Sequence, residues 1–94
     1  MKGSAGSIAL ASELDIKAAT PLASELIALR GSELTIDASG VERIGGQCMQ
    51  VLLAAAGTWR ADGSDLSIAE PSAAFIAAIE TAGLDITQFT TGTN

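Results

Sequence analysis

The stretch that decides the fold is residues 34–53, which read LTIDASGVERIGGQCMQVLL. Leu34, Ile36 and Ala38 alternate with polar residues, and this period of two predicts a strand over residues 33–38 with one buried face. A glycine-containing loop follows over residues 39–46. A long helix is then predicted from about Gly46 to Arg60. Its apolar residues cover more than one face, so we expect it to be mostly buried.

Two further strand–helix units flank this stretch. Upstream, residues 7–14 predict a strand, and a helix is predicted from about Ala18 or Thr20 to Leu29, with Thr20 as its N-cap and Pro21 in its first turn. Downstream, residues 65–69 predict a short strand, and Ser72 is the predicted N-cap of a third helix. Strands joined through helices are parallel, with right-handed crossovers. We therefore predict an α/β fold with a mixed or mostly parallel sheet of about four strands, packed by helices and partly open on one face.

The chain has 94 residues, which is a usual size for a single domain. We place that domain at residues 7–88, since the two ends of the chain contain little apolar sequence. Residues 1–6 are predicted to be a flexible N-terminus, and residues 89–94 a flexible C-terminal tail. Ile86 and Phe89 predict a last short extended segment near this boundary.

The composition excludes several classes of function. Eleven Asp and Glu against 5 Lys and Arg give a net charge of −6, which opposes binding to nucleic acid or to an anionic membrane surface. The absence of His excludes His-based catalysis and imidazole metal sites. No apolar run approaches the roughly 20 residues that span a bilayer. We expect a soluble, cytoplasmic domain that is not an enzyme and has no cofactor and no metal site.

Three segments resemble the STAS domain of anti-sigma-factor antagonists. Residues 34–53 look like its strand, switch loop and long helix, and residues 11–15 look like the Gly-Glu-Leu-Asp strand end before its first helix. Residues 69–72, followed by Phe75 and Gly83, look like its final strand–helix unit. The likeness covers roughly residues 7–88. Within the family, the chain looks most like small stand-alone STAS proteins found beside chemotaxis genes in alphaproteobacteria.

The sequence departs from this family at the phospho-acceptor position. The antagonists carry a phosphorylatable Ser or Thr at the start of the long helix, where this chain has Gly46. The usual switch adds a charge of roughly −2 at a helix N-terminus, and Gly46 has no hydroxyl to accept it. Asp15 matches the acidic residue near the family's switch loop. The resemblance implies a partner-binding surface without a phospho-acceptor, made of Asp15, Ser39, Glu42, Arg43, Gly45, Gly46 and Gln47.

The resemblance implies a non-enzymatic interaction module in bacterial signal transduction. Its partner would be a regulatory protein, such as an anti-sigma kinase or a chemotaxis component. One alternative is a regulatory domain that binds a nucleotide or another anion at the Gly45–Gly46 turn, through the N–H groups of a helix N-terminus. Another is a small STAS subunit of a lipid-transport complex.

Six residues each have two interpretations. Cys48 is either a small buried hydrophobe or a reactive thiol in the first turn of a helix. Asp15 and Asp37 either cap local structure or contact a partner, or they hold a divalent cation together. Trp59 either packs in the core or anchors a partner or a second copy. Glu42 and Arg43 are either a solvated pair or partner contact, or catalytic groups, and we interpret them as the former.

Overall fold

The computed structural model describes residues 6–91. Three strand–helix units follow one another along this part of the chain. The elements in chain order are β1 (Gly6–Ala9), β2 (Glu13–Leu14), α1 (Ile16–Ala28), β3 (Leu34–Asp37), β4 (Arg43–Ile44), α2 (Gly46–Asp62), β5 (Leu66–Ala69), α3 (Ala73–Thr81) and a 3-10 helix (Ile86–Phe89).

The strands form two parallel sheets. The larger has the order β1-β3-β5, and the smaller pairs β2 with β4. The predicted α/β fold is confirmed, but the expected single sheet of about four strands is divided into three strands and two. The division arises because the predicted strand over residues 7–14 is interrupted. Leu10 still donates its N–H to the Asp37 carbonyl, whereas the Ser12 carbonyl accepts the N–H groups of Glu42 and Arg43.

The hydrophobic core lies on one face of the three-stranded sheet. Leu34, Ile36 and Leu66 are fully buried there, because alternate residues of a strand point to the same face. The helices cover them with buried side chains that belong to the same cluster: Leu22, Leu26, Leu52, Trp59, Phe75, Ile79 and Phe89. On the opposite face Ser7 and Ser67 are exposed and Thr35 is half-buried. The expectation of a partly open face is therefore confirmed for the described part of the chain.

The start of α1 differs from the prediction. Asp15 is its N-cap, and the carboxylate accepts the N–H groups of Lys17 at 3.0 Å and Ala18 at 3.2 Å. The assignment of the N-cap to Thr20 is wrong, since Asp15 provides a cap one turn earlier. Pro21 therefore lies inside the helix, where the N–H that it lacks would donate to the Lys17 carbonyl.

The other two helices begin where the sequence indicates. The helix α2 starts at Gly46 and ends at Asp62, just before Gly63, whose φ of 72° is a left-handed conformation that favours glycine. Ser72 caps α3, and its Oγ accepts the N–H of Phe75 at 3.0 Å. Among residues 6–91, no helix has both the length and the apolar character that crossing a membrane requires.

The C-terminal boundary lies later than predicted. Phe89 is buried, and the segment expected to be extended is a 3-10 helix. Thr91 then forms an antiparallel bridge with Leu66, whose N–H donates to the Thr91 hydroxyl at 2.9 Å. The packed chain thus continues to Thr91 instead of ending at residue 88, and Gly6 already belongs to β1. The remaining residues of the two predicted flexible ends, 1–5 and 92–94, lie outside the described residues.

Candidate partner-binding site

The short β2–β4 pair places the N-termini of α1 and α2 side by side. Leu14 pairs with Ile44, and each is followed directly by the N-cap of a helix, Asp15 and Gly45. The Gly45 N–H donates to the Leu14 carbonyl at 3.0 Å. This hydrogen bond fixes the distance between the two segments where the helices begin. Two residues of pairing in each strand are therefore enough to bring both helix starts to one edge of the molecule.

The N-terminus of α2 carries no side-chain cap. Gly45 has no side chain that could accept the free N–H groups of the first turn. Gly46 is exposed, and a Cβ atom built there would meet no heavy atom within 4 Å among the described residues. Gln47 is exposed as well. The predicted site residues Gly45, Gly46 and Gln47 thus form an open surface with available backbone donors.

Cys48 joins the two helix starts beneath this surface. Its Sγ–H donates to the Asp15 carbonyl at 3.4 Å, and the side chain is fully buried. Burial, together with the negative charge of Asp15, raises the pKa of the Cys48 thiol above its usual value. The interpretation of Cys48 as a small buried hydrophobe is confirmed, and that of a reactive thiol is wrong.

Charged side chains of both signs surround the helix starts. Arg43 lies 3.9 Å from Glu13 across the β2–β4 pair, with side chains that are 80% and 59% exposed, so this ion pair contributes little to stability. Glu42 is also exposed, and its backbone N–H donates to the Ser12 carbonyl at 2.7 Å. The acidic neighbour of Arg43 is therefore Glu13. The solvated-pair interpretation had paired Arg43 with Glu42 instead.

Ser39 lies at the other end of the same loop. Its N–H donates to the Asp37 carboxylate at 2.9 Å, and this hydrogen bond holds the pKa of Asp37 below its usual value. Between the two ends, Val41 is buried, and its carbonyl accepts the Ser72 hydroxyl at 2.6 Å. The structure thus places five of the seven predicted residues on β4 or at the helix starts, sets Glu42 beside Ser12 at the opposite end of the β2–β4 pair, and ties Ser39 separately to the end of β3.

Sequence reasoning missed Ile16, the first residue of α1. Its side chain is 69% exposed, and with Asp15, Arg43 and Gly45 it lines a shallow depression at the helix starts. The sequence gives no clear signal for this residue, because the exposure of Ile16 follows from Asp15, and not Thr20, being the N-cap of α1.

The remaining site candidates have structural roles. The Asp15 and Asp37 carboxylates each accept backbone N–H groups, and residues 6–91 contain no group of three His, Cys, Asp or Glu side chains placed to hold a metal ion. Trp59 is buried, and its indole N–H donates to the Ser32 carbonyl at 2.8 Å. The core-packing interpretation of Trp59 is confirmed, and that of a partner anchor is wrong.

A comparison with protein families gives a match over nearly the whole chain. The family model described as "Mlab, STAS domain" matches residues 1–90, which includes every helix and strand of the described fold. No curated protein and no solved structure matches the chain.

Proposed function

The chain belongs to the STAS domain family, and on this premise we propose that it is a non-enzymatic interaction module of the anti-sigma-factor-antagonist type. Its partner would be a regulatory protein of a bacterial signalling system, either an anti-sigma kinase or a chemotaxis component. The observation that supports this proposal is the uncapped N-terminus of α2 at Gly45 and Gly46, exposed beside Asp15. The proposed setting is the cytoplasm.

The charges around the helix starts indicate the chemistry of the partner. Glu13, Asp15 and Glu42 are acidic and exposed, and two exposed basic residues, Lys17 and Arg43, lie near them, so the net charge of this group is negative by one. Ile16 adds an exposed apolar side chain at the centre of this group. A partner surface with basic residues around an apolar contact would be steered towards it. The nucleotide-binding alternative stays a prediction: the free N–H groups at the start of α2 favour an anion, whereas the net negative charge of the surrounding side chains opposes one.

The proposed module binds without a phosphorylation switch in this loop. Gly46 offers no hydroxyl at the start of α2. Ser39 is the nearest hydroxyl of the loop, but it is tied to Asp37 at the opposite end. An α2 N-terminus without added charge resembles the unphosphorylated state, in which the family's antagonists bind their partners. Binding would therefore be constitutive, and control would rest with the partner or with the amount of either protein.

Affinity capture from the native cell tests the surface. The tagged parent should retain a regulatory protein that the double variant Asp15→Lys/Glu42→Lys loses. Glu80→Lys/Asp85→Lys is the matched control, because it makes the same change in net charge on α3 and before the 3-10 helix. The control should retain the partner. Full retention by both double variants would place the interface elsewhere.

Gly46→Asp tests the absence of a switch. The new carboxylate lies in the first turn of α2, where it should leave the free energy of unfolding unchanged or raise it by about 0.3–1 kcal/mol. Its charge should nevertheless weaken partner binding in the way that a phosphate would. Undiminished binding of Gly46→Asp, or phosphate found between residues 39 and 49 in protein from the native cell, would contradict the proposal.

A second candidate is a small STAS subunit of a lipid-transport complex. The description of the matching family model, Mlab, is the observation that keeps it open. The same surface would then contact a neighbouring subunit. Affinity capture separates the two functions, since a transport complex would bring membrane proteins and lipid into the eluate in place of a signalling protein.

A further inference from the structure

The three-stranded sheet has one face that no described helix covers. Parallel sheets normally have both faces covered, so this open face is unusual. The register places Ser7, Thr35 and Ser67 side by side across β1, β3 and β5. The Thr35 and Ser67 hydroxyl oxygens lie 3.4 Å apart. Because these side chains are short, the three strands present a flat row of hydroxyl groups, which we call the hydroxyl face.

The hydroxyl face has acidic residues at both ends. Asp37 belongs to it, two residues after Thr35 in β3. Glu33 and Asp65 continue the alternation at the other end, and both are exposed. Their carbonyls accept the N–H groups of Gly6 and Leu34, so the extended pairing reaches them. The hydroxyl face is thus framed by three carboxylates.

The basic residues of the described chain lie outside the three strands that form the hydroxyl face. Residues 6–91 contain four, and they lie on β4, on the two long helices or directly after α1: Lys17, Arg30, Arg43 and Arg60. Two of these are paired there, since Arg30 forms a bidentate ion pair with Asp62 and Arg43 lies near Glu13. In the described chain, nothing cationic offsets the carboxylates of the hydroxyl face.

We propose that the hydroxyl face docks a cationic segment of a partner protein. Lys and Arg side chains would reach Glu33, Asp37 and Asp65, and their N–H groups would donate to the hydroxyls between these carboxylates. A second copy of the chain is a poor occupant, because it would set like charges against each other. This surface is separate from the one at the helix starts, so the proposal does not depend on the function proposed above.

Two features favour docking over simple solvent exposure. The short side chains let a partner backbone approach the sheet closely, and the β3 strand beneath them is held on both sides by pairing with β1 and β5. The Ser39 N–H holds the pKa of Asp37 low, so this carboxylate stays ionised at neutral pH. The hydroxyl face is therefore held in place by strand pairing and carries an ionised carboxylate at Asp37.

NMR titration tests the proposal on the whole chain. The probe is a short peptide of alternating Lys and Thr, and a peptide of alternating Glu and Thr is the control. The Lys peptide should shift the amide signals of Ser7, Thr35 and Ser67, and leave those of Ala54 and Thr58 on α2 unchanged. Binding should weaken as salt is added. The absence of shifts on the three strands would overturn the proposal.

Charge variants distinguish the hydroxyl face from general attraction to an acidic protein. Glu33→Lys/Asp65→Lys should weaken binding of the Lys peptide by at least about tenfold. Glu80→Lys/Asp85→Lys makes the same change in net charge elsewhere and should weaken it by less than about threefold, which is the screened long-range part. Equal losses in both would mean non-specific attraction only, and would overturn the proposal.

A pair of uncharged variants tests the shape of the surface. Thr35→Tyr adds bulk at the centre of the hydroxyl face, in a residue type that strands accept. It should weaken binding more than Thr35→Val does, because Thr35→Val keeps the volume and removes only one hydroxyl acceptor. Circular dichroism and the unfolding midpoint confirm that both remain folded. Unchanged binding of Thr35→Tyr would show that the peptide lies elsewhere.

Discussion

The two long helices begin side by side, but their first turns differ. At α1 the Asp15 carboxylate accepts two backbone N–H groups, whereas at α2 Gly45 accepts none through a side chain. The comparison shows that two helices can be positioned by different means. The start of α1 is fixed by a local cap, and the start of α2 is fixed by the strand pairing before it and by the burial of its own side chains.

The difference in burial between the helices explains why α2 tolerates a bare end. Only Leu22 and Leu26 of α1 are buried. The helix α2 buries six side chains, which are Cys48, Met49, Leu52, Ala55, Ala56 and Trp59. Tertiary packing supplies most of a helix's stability in a protein, so α2 can leave its first N–H groups free. Those free groups are the feature on which the proposed partner contact at the start of α2 depends.

The largest expected effect comes from weakening that packing. Leu52→Ala should lower the free energy of unfolding by about 2–5 kcal/mol, because it leaves a cavity beneath α2. Leu52 is almost fully buried, and its neighbour Leu53 is half-buried. Leu53→Ala is the control and should cost less. Urea unfolding followed by circular dichroism measures both, and a parental midpoint for Leu52→Ala would mean that α2 is not held by its buried side.

The next effect tests the caps directly. Asp15→Ala removes the acceptor for Lys17 and Ala18 and should cost about 0.5–2 kcal/mol, while Asp15→Asn keeps an acceptor and should cost less. At α2 the opposite change, Gly45→Asn, should add a few tenths of a kcal/mol. The same unfolding measurement compares the variants. If Asp15→Ala and Gly45→Asn changed the free energy of unfolding by the same amount, the two helix starts would not differ in how they are stabilised.

The smallest effect concerns the far ends of the same helices. Arg30, just after α1, pairs with Asp62 at the end of α2, and the hydrogen bond from Arg30 lowers the pKa of Asp62. A lowered carboxyl pKa stabilises the fold above the pKa of the unfolded chain, near 3.8, and this stabilisation is lost as the pH falls through the folded value. Stability of the parent should therefore fall slightly more steeply below pH 4 than that of Asp62→Asn. Because the pair is exposed, the difference should be small, and adding salt should reduce it further.

The sequence predicted those elements whose signals are long or local. The apolar pattern of α2 continues through Trp59, and Ser72 caps α3 by a hydrogen bond within its own first turn. The N-cap of α1 was misplaced because Thr20 and Pro21 give a local signal as good as that of Asp15. The choice between them depends on where the β2–β4 pair ends, which is a tertiary property.

The site was predictable only in part for the same reason. A strand of two residues has no periodicity, so nothing in the sequence indicated β2 and β4 as a pair. Their register sets Arg43 opposite Glu13 and leaves Ile16 exposed beside Asp15. The burial of Phe89 was not predictable either. The polar residues around it indicate a tail, and its packing depends on helices that are distant in sequence.

The connectivity of the sheets also has a consequence for how quickly the chain folds. Gly6 pairs with Leu34, Leu34 with Leu66, and Glu13 with Arg43, so a helix separates the partners in every parallel pairing. The bridge between Leu66 and Thr91 also spans α3 and the 3-10 helix. No pairing in the described chain can begin as a hairpin, and each requires the closure of a long loop before it gains any contact. A small domain with such high contact order folds slowly for its size. In the larger sheet both loop closures bring a strand to β3, because β1 and β5 each pair with it.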